Sequence, residues 1–272
     1  MRSFTRQNTV DTSFAALASK VLQVSVGAFS IGVIAASIQA SPANAAAPTD
    51  FRSALLQATA ETLPAAADVT EADRLANQGV DAFTQDNAVA AYDYWQQAML
   101  LYRIEGDRIK EARMLENLSV VYRVTERPAE AISMSQQALT IYEQLNVVDQ
   151  QPSAYLNLGS AYRIGGQLED AIATYQTSLS LYQNLEDSTG ERIVYSLLAD
   201  TYADNEDYSQ SIRAQQQVIS IARRTRNAQI EAEALSEIGY AHFMQEQYAQ
   251  AVRSYQPALV LFKQLDDRPQ EV

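Results

Sequence analysis

The sequence predicts an all-α fold, a solenoid of five stacked helix-turn-helix hairpins. Three observations carry this. First, small residues recur every 40 positions without insertion or deletion: Gly79, Ser119, Gly159, Ala199 and Gly239, and again Ala91, Ala131, Ala171, Ser211 and Ala251. A period of roughly 20 to 50 residues marks a stacked repeat architecture. Second, apolar residues within each copy recur at three, four and seven positions, which places them on one face of a helix. Third, turn-forming and helix-starting residues fall between these apolar runs. A single amphipathic hairpin cannot bury its own apolar face, so each copy must stack on its neighbours.

The elements follow in order. The copies are assigned to residues 71–110, 111–150, 151–190, 191–230 and 231–272. The third is the cleanest. Its first helix carries Tyr155, Leu158, Gly159 and Tyr162 on one face. A turn follows at Gly165-Gly166, and the second helix carries Leu168, Ala171, Ile172, Tyr175, Ser178, Leu179 and Tyr182. The small residues at 159 and 171 let paired helices approach. Ala98, Ala138, Ser178, Val218 and Ala258 do the same where a second helix meets the next repeat, and Tyr122, Tyr162 and Tyr202 fill the volume between. Pro128 and Pro152 suit first helical turns, where no backbone donor is needed. Asn87 and Asn205 are expected to cap second helices. Pro257, about nine residues into the last helix, predicts a kink or a fresh helix start.

The amino-terminal region reads differently. Arg2, Arg6 and Lys20 precede an apolar stretch from Val21 to Ala40, followed by Ser41-Pro42-Ala43-Asn44-Ala45. A basic start, apolar middle and small-x-small end are the layout of a secretory signal, expected to be cleaved after Ala45. The alternative is a retained anchor, for which Gln23, Ser25, Ser30, Ser37 and Gln39 make the stretch too polar. Export to a periplasmic, lumenal or extracellular space follows as the expectation. Residues 46–70, rich in Ala, Thr and Pro, read as a largely disordered linker with a short helix over 51–61.

Composition narrows the function classes. Lys and Arg number 20 against 33 Asp and Glu, a net charge of −13. Nucleic-acid surfaces need clustered cations to displace counterions, so that class is disfavoured. There is no cysteine, which excludes disulfides, thiol catalysis and Cys-based zinc sites. The single histidine, His242, occupies the register of Tyr122, Tyr162 and Tyr202 and reads as a packing residue. One histidine without cysteine is too little for a metal site. No phosphate-binding glycine loop is present. No catalytic residue, cofactor or metal is therefore assigned. The tyrosine and leucine stripes have the phase of a bundle core.

Tyr155-x2-Leu158-Gly159-x2-Tyr162 followed by Ala171-x3-Tyr175 resembles the tetratricopeptide repeat pattern position for position. Copies one and five match through Gly79, Ala91, Trp95 and Ala98 and through Leu235, Gly239, Ala251, Tyr255 and Ala258. Ser119 and Ala199 replace glycine in copies two and four. HEAT and armadillo repeats share the length but lack this pattern. The usual tetratricopeptide unit is about 34 residues; here it is 40, and the extra six are expected between hairpins, as at Leu185–Gly190. That resembles the longer repeats of kinesin light chain. The resemblance implies a right-handed superhelix with first helices lining a concave face where ligands lie.

The expected site follows from that implied geometry. Asn77, Asn117 and Asn157 recur at the repeat spacing on first helices. Asparagine is unfavourable inside helices because its side chain competes for the backbone, and its amide matches a peptide unit. The row resembles the asparagine ladder with which some superfamily members clamp an extended chain. Arg113, Arg123 and Arg163 beside it could pair with a ligand carboxylate. The alternative is structural: the asparagines bond to adjacent repeats, and the arginines pair with Glu116, Glu126 or Asp170. The ladder stops at Leu197 and Glu237, where Asp200, Asp204, Tyr240, Phe243 and Met244 offer an acidic and apolar lining. The expected function is an exported, non-enzymatic scaffold or adaptor holding a peptide or protein surface, assisting assembly of envelope proteins. Two others stand beside it: a module recruiting substrates to an enzyme on another chain, and self-assembly as a homodimer through an uncapped last repeat.

Overall fold

A computed structural model describes residues 70–266. Expectations for the signal segment (1–45) and the linker with its short helix lie outside these residues, apart from Thr70. The described residues form ten α-helices: α1 Glu71–Thr84, α2 Ala88–Glu105, α3 Arg108–Val124, α4 Pro128–Gln144, α5 Gln151–Ile164, α6 Leu168–Asn184, α7 Ser188–Asp204, α8 Tyr208–Arg224, α9 Ala228–Met244 and α10 Tyr248–Asp266. A 3-10 turn at Val148–Gln150 leads into α5. Among the described residues there is no strand. Each helix packs on the one before and the one after it. First helices of successive hairpins also touch, α3 with α5 and α5 with α7. The array therefore closes toward its first helices, which line the inner face of an all-α superhelix.

Turns repeat at half the sequence period. Asp86, Gly106, Glu126, Asn146, Gly166, Glu186, Glu206, Arg226 and Glu246 all have positive φ, and they are 20 residues apart. In each turn the next N–H bonds to a carbonyl five residues back, as Asn87 does to Ala82, Asp187 to Tyr182 and Asp207 to Tyr202. This closes the helix end in a Schellman arrangement. The residue making that bond also opens the next helix: the Asn87, Asp107, Asp207 and Asn227 side chains accept from the third N–H of α2, α3, α8 and α9. One residue ends a helix and caps its successor, so most turns need only three residues.

This economy corrects two expectations. The extra length of the repeat does not form an inter-hairpin linker over Leu185–Gly190. Only Leu185, Glu186 and Asp187 separate α6 from α7, and both helices are 17 residues long. The added residues lengthen the helices. Asn205 does not cap a second helix either; it ends α7, and Asp207 caps α8. Pro128 and Pro152 do sit in first turns. Arg108 to Lys110, inside the first expected repeat, already belong to the second hairpin. Pro257 lies within α10, which runs on without a fresh start. Arg253 and Pro257 both face outward, so solvent can satisfy the carbonyl that proline leaves unbonded.

Packing within hairpins explains why the small positions vary. A Cβ at Gly79 would lie 2.3 Å from Trp95, one at Gly159 2.8 Å from Tyr175, and one at Gly239 2.6 Å from Tyr255. Copies two and four place Ser135 and Gln215 where the others have an aromatic ring. There the first helix carries Ser119, whose Oγ lies 2.7 Å from that of Ser135, or Ala199. The weaker motif matches are compensated exchanges of volume. Ala98, Ala138, Ser178, Val218 and Ala258 are buried as expected.

Candidate functional site

The inner face carries two polar clusters. The first joins hairpins two and three. Glu116 of α3 accepts hydrogen bonds from the Tyr142 hydroxyl (2.8 Å) and from Asn157 Nδ2 (3.1 Å). Asn157 Oδ1 in turn accepts from Arg123 Nη2 at 3.3 Å. Ser153 Oγ donates to Glu116 at 3.4 Å. Burial raises the Glu116 carboxyl above its usual range, opposed by these three donors and by the charge of Arg113. Arg113 also hydrogen-bonds Tyr142. Burial pushes Arg123 down to about 10. Asn157 is thus a cross-repeat brace, which is the structural alternative for that position.

The second cluster joins hairpins three and four. Arg163 Nε bonds Asp204 Oδ2 at 2.7 Å, and Nη1 lies 3.9 Å from Asp200 Oδ2. Burial works against the arginine's charge, but Asp200 and Asp204 hold its pKa up. Burial pushes Asp200 up to about 6; Arg163 opposes this and Asp204 adds to it. Glu237 of α9 is raised well above the usual carboxylate range, first by burial, then by Asp200 and Glu233. The inner face over hairpins four and five therefore gathers Asp200, Asp204, Glu233 and Glu237, of which Asp200 and Asp204 share Arg163.

The expected residues divide by role. Arg123 and Asn157 meet in the first cluster, and Arg113 joins it through Tyr142. Arg163, Asp200 and Asp204 meet in the second. Arg123 meets Asn157, Arg113 meets Tyr142, and Arg163 meets Asp200 and Asp204. Asn77 is exposed on α1. Asn117 differs from both other asparagines: it is only 6% exposed, yet its side chain has no hydrogen-bond partner among the described residues. Tyr240 is half-buried, and Phe243 is exposed with its ring edge-on to Tyr248, centroids 5.7 Å apart. His242 is half-buried, its Nδ1 2.8 Å from Gln247 Oε1. Sequence reasoning missed Glu116 and Tyr142 as a bonded pair. Their signal was present, since a buried carboxylate needs donors and Tyr142 lies in the second helix of the same hairpin.

Among the described residues no group of carboxylates and histidine could hold a metal ion, and no described helix is long and apolar enough to cross a membrane.

The tetratricopeptide repeat profile matches residues 70–144 and 150–224. The chain belongs to the tetratricopeptide repeat family. The hairpin of α9 and α10, beyond the matched residues, continues the same geometry. No curated protein matches the sequence. Among solved structures, the chain resembles the nearly identical TPR-like repeats of a Podosopora anserina kinesin light chain (TM-score 0.63, 13% identity, 72% of this chain and 96% of that one). It also resembles BtubC (BKLC) from P. vanneervenii (TM-score 0.61, 14% identity, 84% and 95%). A third likeness is to a Rap protein complexed with Competence and Sporulation Factor (TM-score 0.60, 18% identity, 79% and 59%). At these identities the likeness is one of fold. The sequence resemblance to a tetratricopeptide repeat with kinesin light chain-type length is borne out.

Proposed function

We propose that this tetratricopeptide repeat protein is a non-enzymatic scaffold that holds an extended segment of a partner protein along its inner face. The observation that carries the reading is Asn117. Asn117 lies between the exposed Asn77 and the braced Asn157, its amide still open to solvent. Its free donor and acceptor suit one peptide unit of a bound chain. The carboxylates over hairpins four and five favour a basic side chain at that end of the segment. The arginines, each engaged within the protein, serve to hold the repeats in register. The Rap protein solved with Competence and Sporulation Factor supports a peptide or protein as the kind of partner.

Export follows from the basic-apolar-small layout of residues 1–45, and with it a role in assembling envelope proteins. A second reading, self-association through α10, has one observation in its favour. Phe262, in register with the buried Tyr102 and Tyr142, is only half-buried. Light scattering on the purified protein decides that question: a dimer supports it and a monomer at high concentration removes it.

The test of the main reading is capture of partners with wild-type protein and with Asn117→Ala, in parallel. Loss of a specific partner from the variant, with unchanged helical content, supports the groove. Identical capture by both removes Asn117 from the binding face.

A further inference from the structure

Two clefts on the outer face open where a tyrosine is missing from the repeat. In hairpin three, Tyr155 and Tyr162 of α5 reach back to α4. The Tyr155 hydroxyl donates to Glu143 at 3.0 Å, and the Tyr162 hydroxyl accepts from Gln136 at 3.1 Å. Hairpin four repeats this: Tyr195 accepts from Gln183 at 3.3 Å and Tyr202 from Gln176 at 3.4 Å. Two rings fill the groove beside the preceding second helix in each case.

Hairpin five carries Leu235 and His242 in those two positions. His242 bonds Gln247 of its own turn instead of reaching back. A cleft of about 590 Å³ opens between α8 and α10, lined by Ile219, Leu235 and Ile238 with Gln216 and Arg223 beside them. Hairpin two lacks only one ring, with Leu115 at the first position and Tyr122 kept at the second. Its cleft, beside Leu115, is about 390 Å³. Gln216, in register with Gln136 and Gln176, has no side-chain partner among the described residues.

We propose that the cleft of hairpin five binds an aromatic side chain, foremost a tyrosine, from a partner polypeptide. The sibling hairpins show the occupant: a phenol ring on an aliphatic floor, its oxygen facing the glutamine donor. The volume suits a small-ligand pocket, about 300–1,000 Å³. Tyrosine combines a large apolar area with a polar tip that needs one donor. Arg223 at the rim is already paired with Glu231 at 2.7 Å, so the cleft selects for the aromatic ring rather than for a flanking charge. This site is on the opposite face from the proposed groove and stands independently of it.

The test titrates N-acetyltyrosinamide into isotope-labelled full-length protein and follows methyl resonances by NMR. The expected result is a saturable shift, in the millimolar range, confined to Ile219, Leu235 and Ile238. Restoring both rings with Leu235→Tyr and His242→Tyr should weaken binding at least tenfold. Gln216→Ala, at an exposed position that leaves folding intact, should weaken N-acetyltyrosinamide several-fold and leave N-acetylphenylalaninamide unchanged. The absence of a saturable shift, shifts centred on the inner face, or full binding by the ring-restored protein would overturn the proposal. Should that double variant not fold, equal binding of both amides by wild type and Gln216→Ala would overturn the assignment of the tyrosine hydroxyl.

Discussion

Gly159 of α5 lies against the ring of Tyr175 of α6, so close that a single added methyl would sit 2.8 Å from two ring carbons. The ring is fully buried, and its hydroxyl is fixed by a 3.0 Å bond to Ser160, so it cannot yield. Gly159→Ala is expected to cost about 1–3 kcal/mol by overpacking. Adding Tyr175→Ser, which recreates the Ser135 of hairpin two, should recover less than the full loss through cavity formation but relieve the clash. Chemical denaturation of the two single variants and the double variant measures the coupling. Strict additivity would contradict a direct contact.

The turns make a second prediction. Glu206 has φ of 58°, in the left-handed region. A side chain is strained there and glycine is not. Glu206→Gly is expected to stabilise the protein by roughly 0.5–1 kcal/mol, the strain relief outweighing the added freedom of the unfolded chain. The same change at Glu126 should act alike and add to it. A loss of stability at both positions would contradict the turn assignment.

Acidity tests the carboxylate cluster. Asp200 has a usual pKa of 3.8, raised in the folded protein to about 6. Between these values the folded state binds the proton more tightly than the unfolded chain. Stability therefore rises as pH falls through that window. Glu237 acts in the same direction. Asp73, depressed to about 2, loses its contribution only below the window. The melting temperature at pH 5 should exceed that at pH 7.5, by the equivalent of about 1–2 kcal/mol after allowing for the partial exposure of Asp200. Asp200→Asn should reduce this gain. An equal gain in that variant would contradict the assignment.

Much of the fold was legible because the small residues that let helices approach recur in phase. Gly79, Gly159 and Gly239 announce their contacts by having no alternative, since an aromatic ring occupies the space of any side chain. The 20-residue turn period was less visible. Its left-handed positions hold Asp, Glu, Asn and Arg as well as Gly, so only the Asn and Asp caps at 87, 107, 187, 207 and 227 betray it. The candidate site was legible in position but not in partnership. Arg163 and Asp204 are 41 residues apart, and nothing local shows that one repeat's arginine crosses to the next repeat's acid. The same holds for Glu116 and Asn157.

The two inner asparagines should separate cleanly. Asn157→Ala strips Glu116 of a donor and Arg123 of an acceptor in a buried setting. A loss of about 1–3 kcal/mol is expected. Asn117→Ala removes an amide with no described partner and should cost little or even stabilise. Calorimetric unfolding of both variants checks the contrast, and equal losses would contradict the distinct roles assigned to them.

The central claim, that the inner face holds a segment of another protein, is tested most directly by site-specific photocrosslinking in the native host. A photoreactive residue is placed at Asn77 or Tyr240 on first helices, or at the exposed Thr177 on a second helix. The account predicts that positions 77 and 240 crosslink to one and the same polypeptide and that position 177 does not. Crosslinks from 177 alone, or none from 77 and 240 in a folded protein, would contradict it.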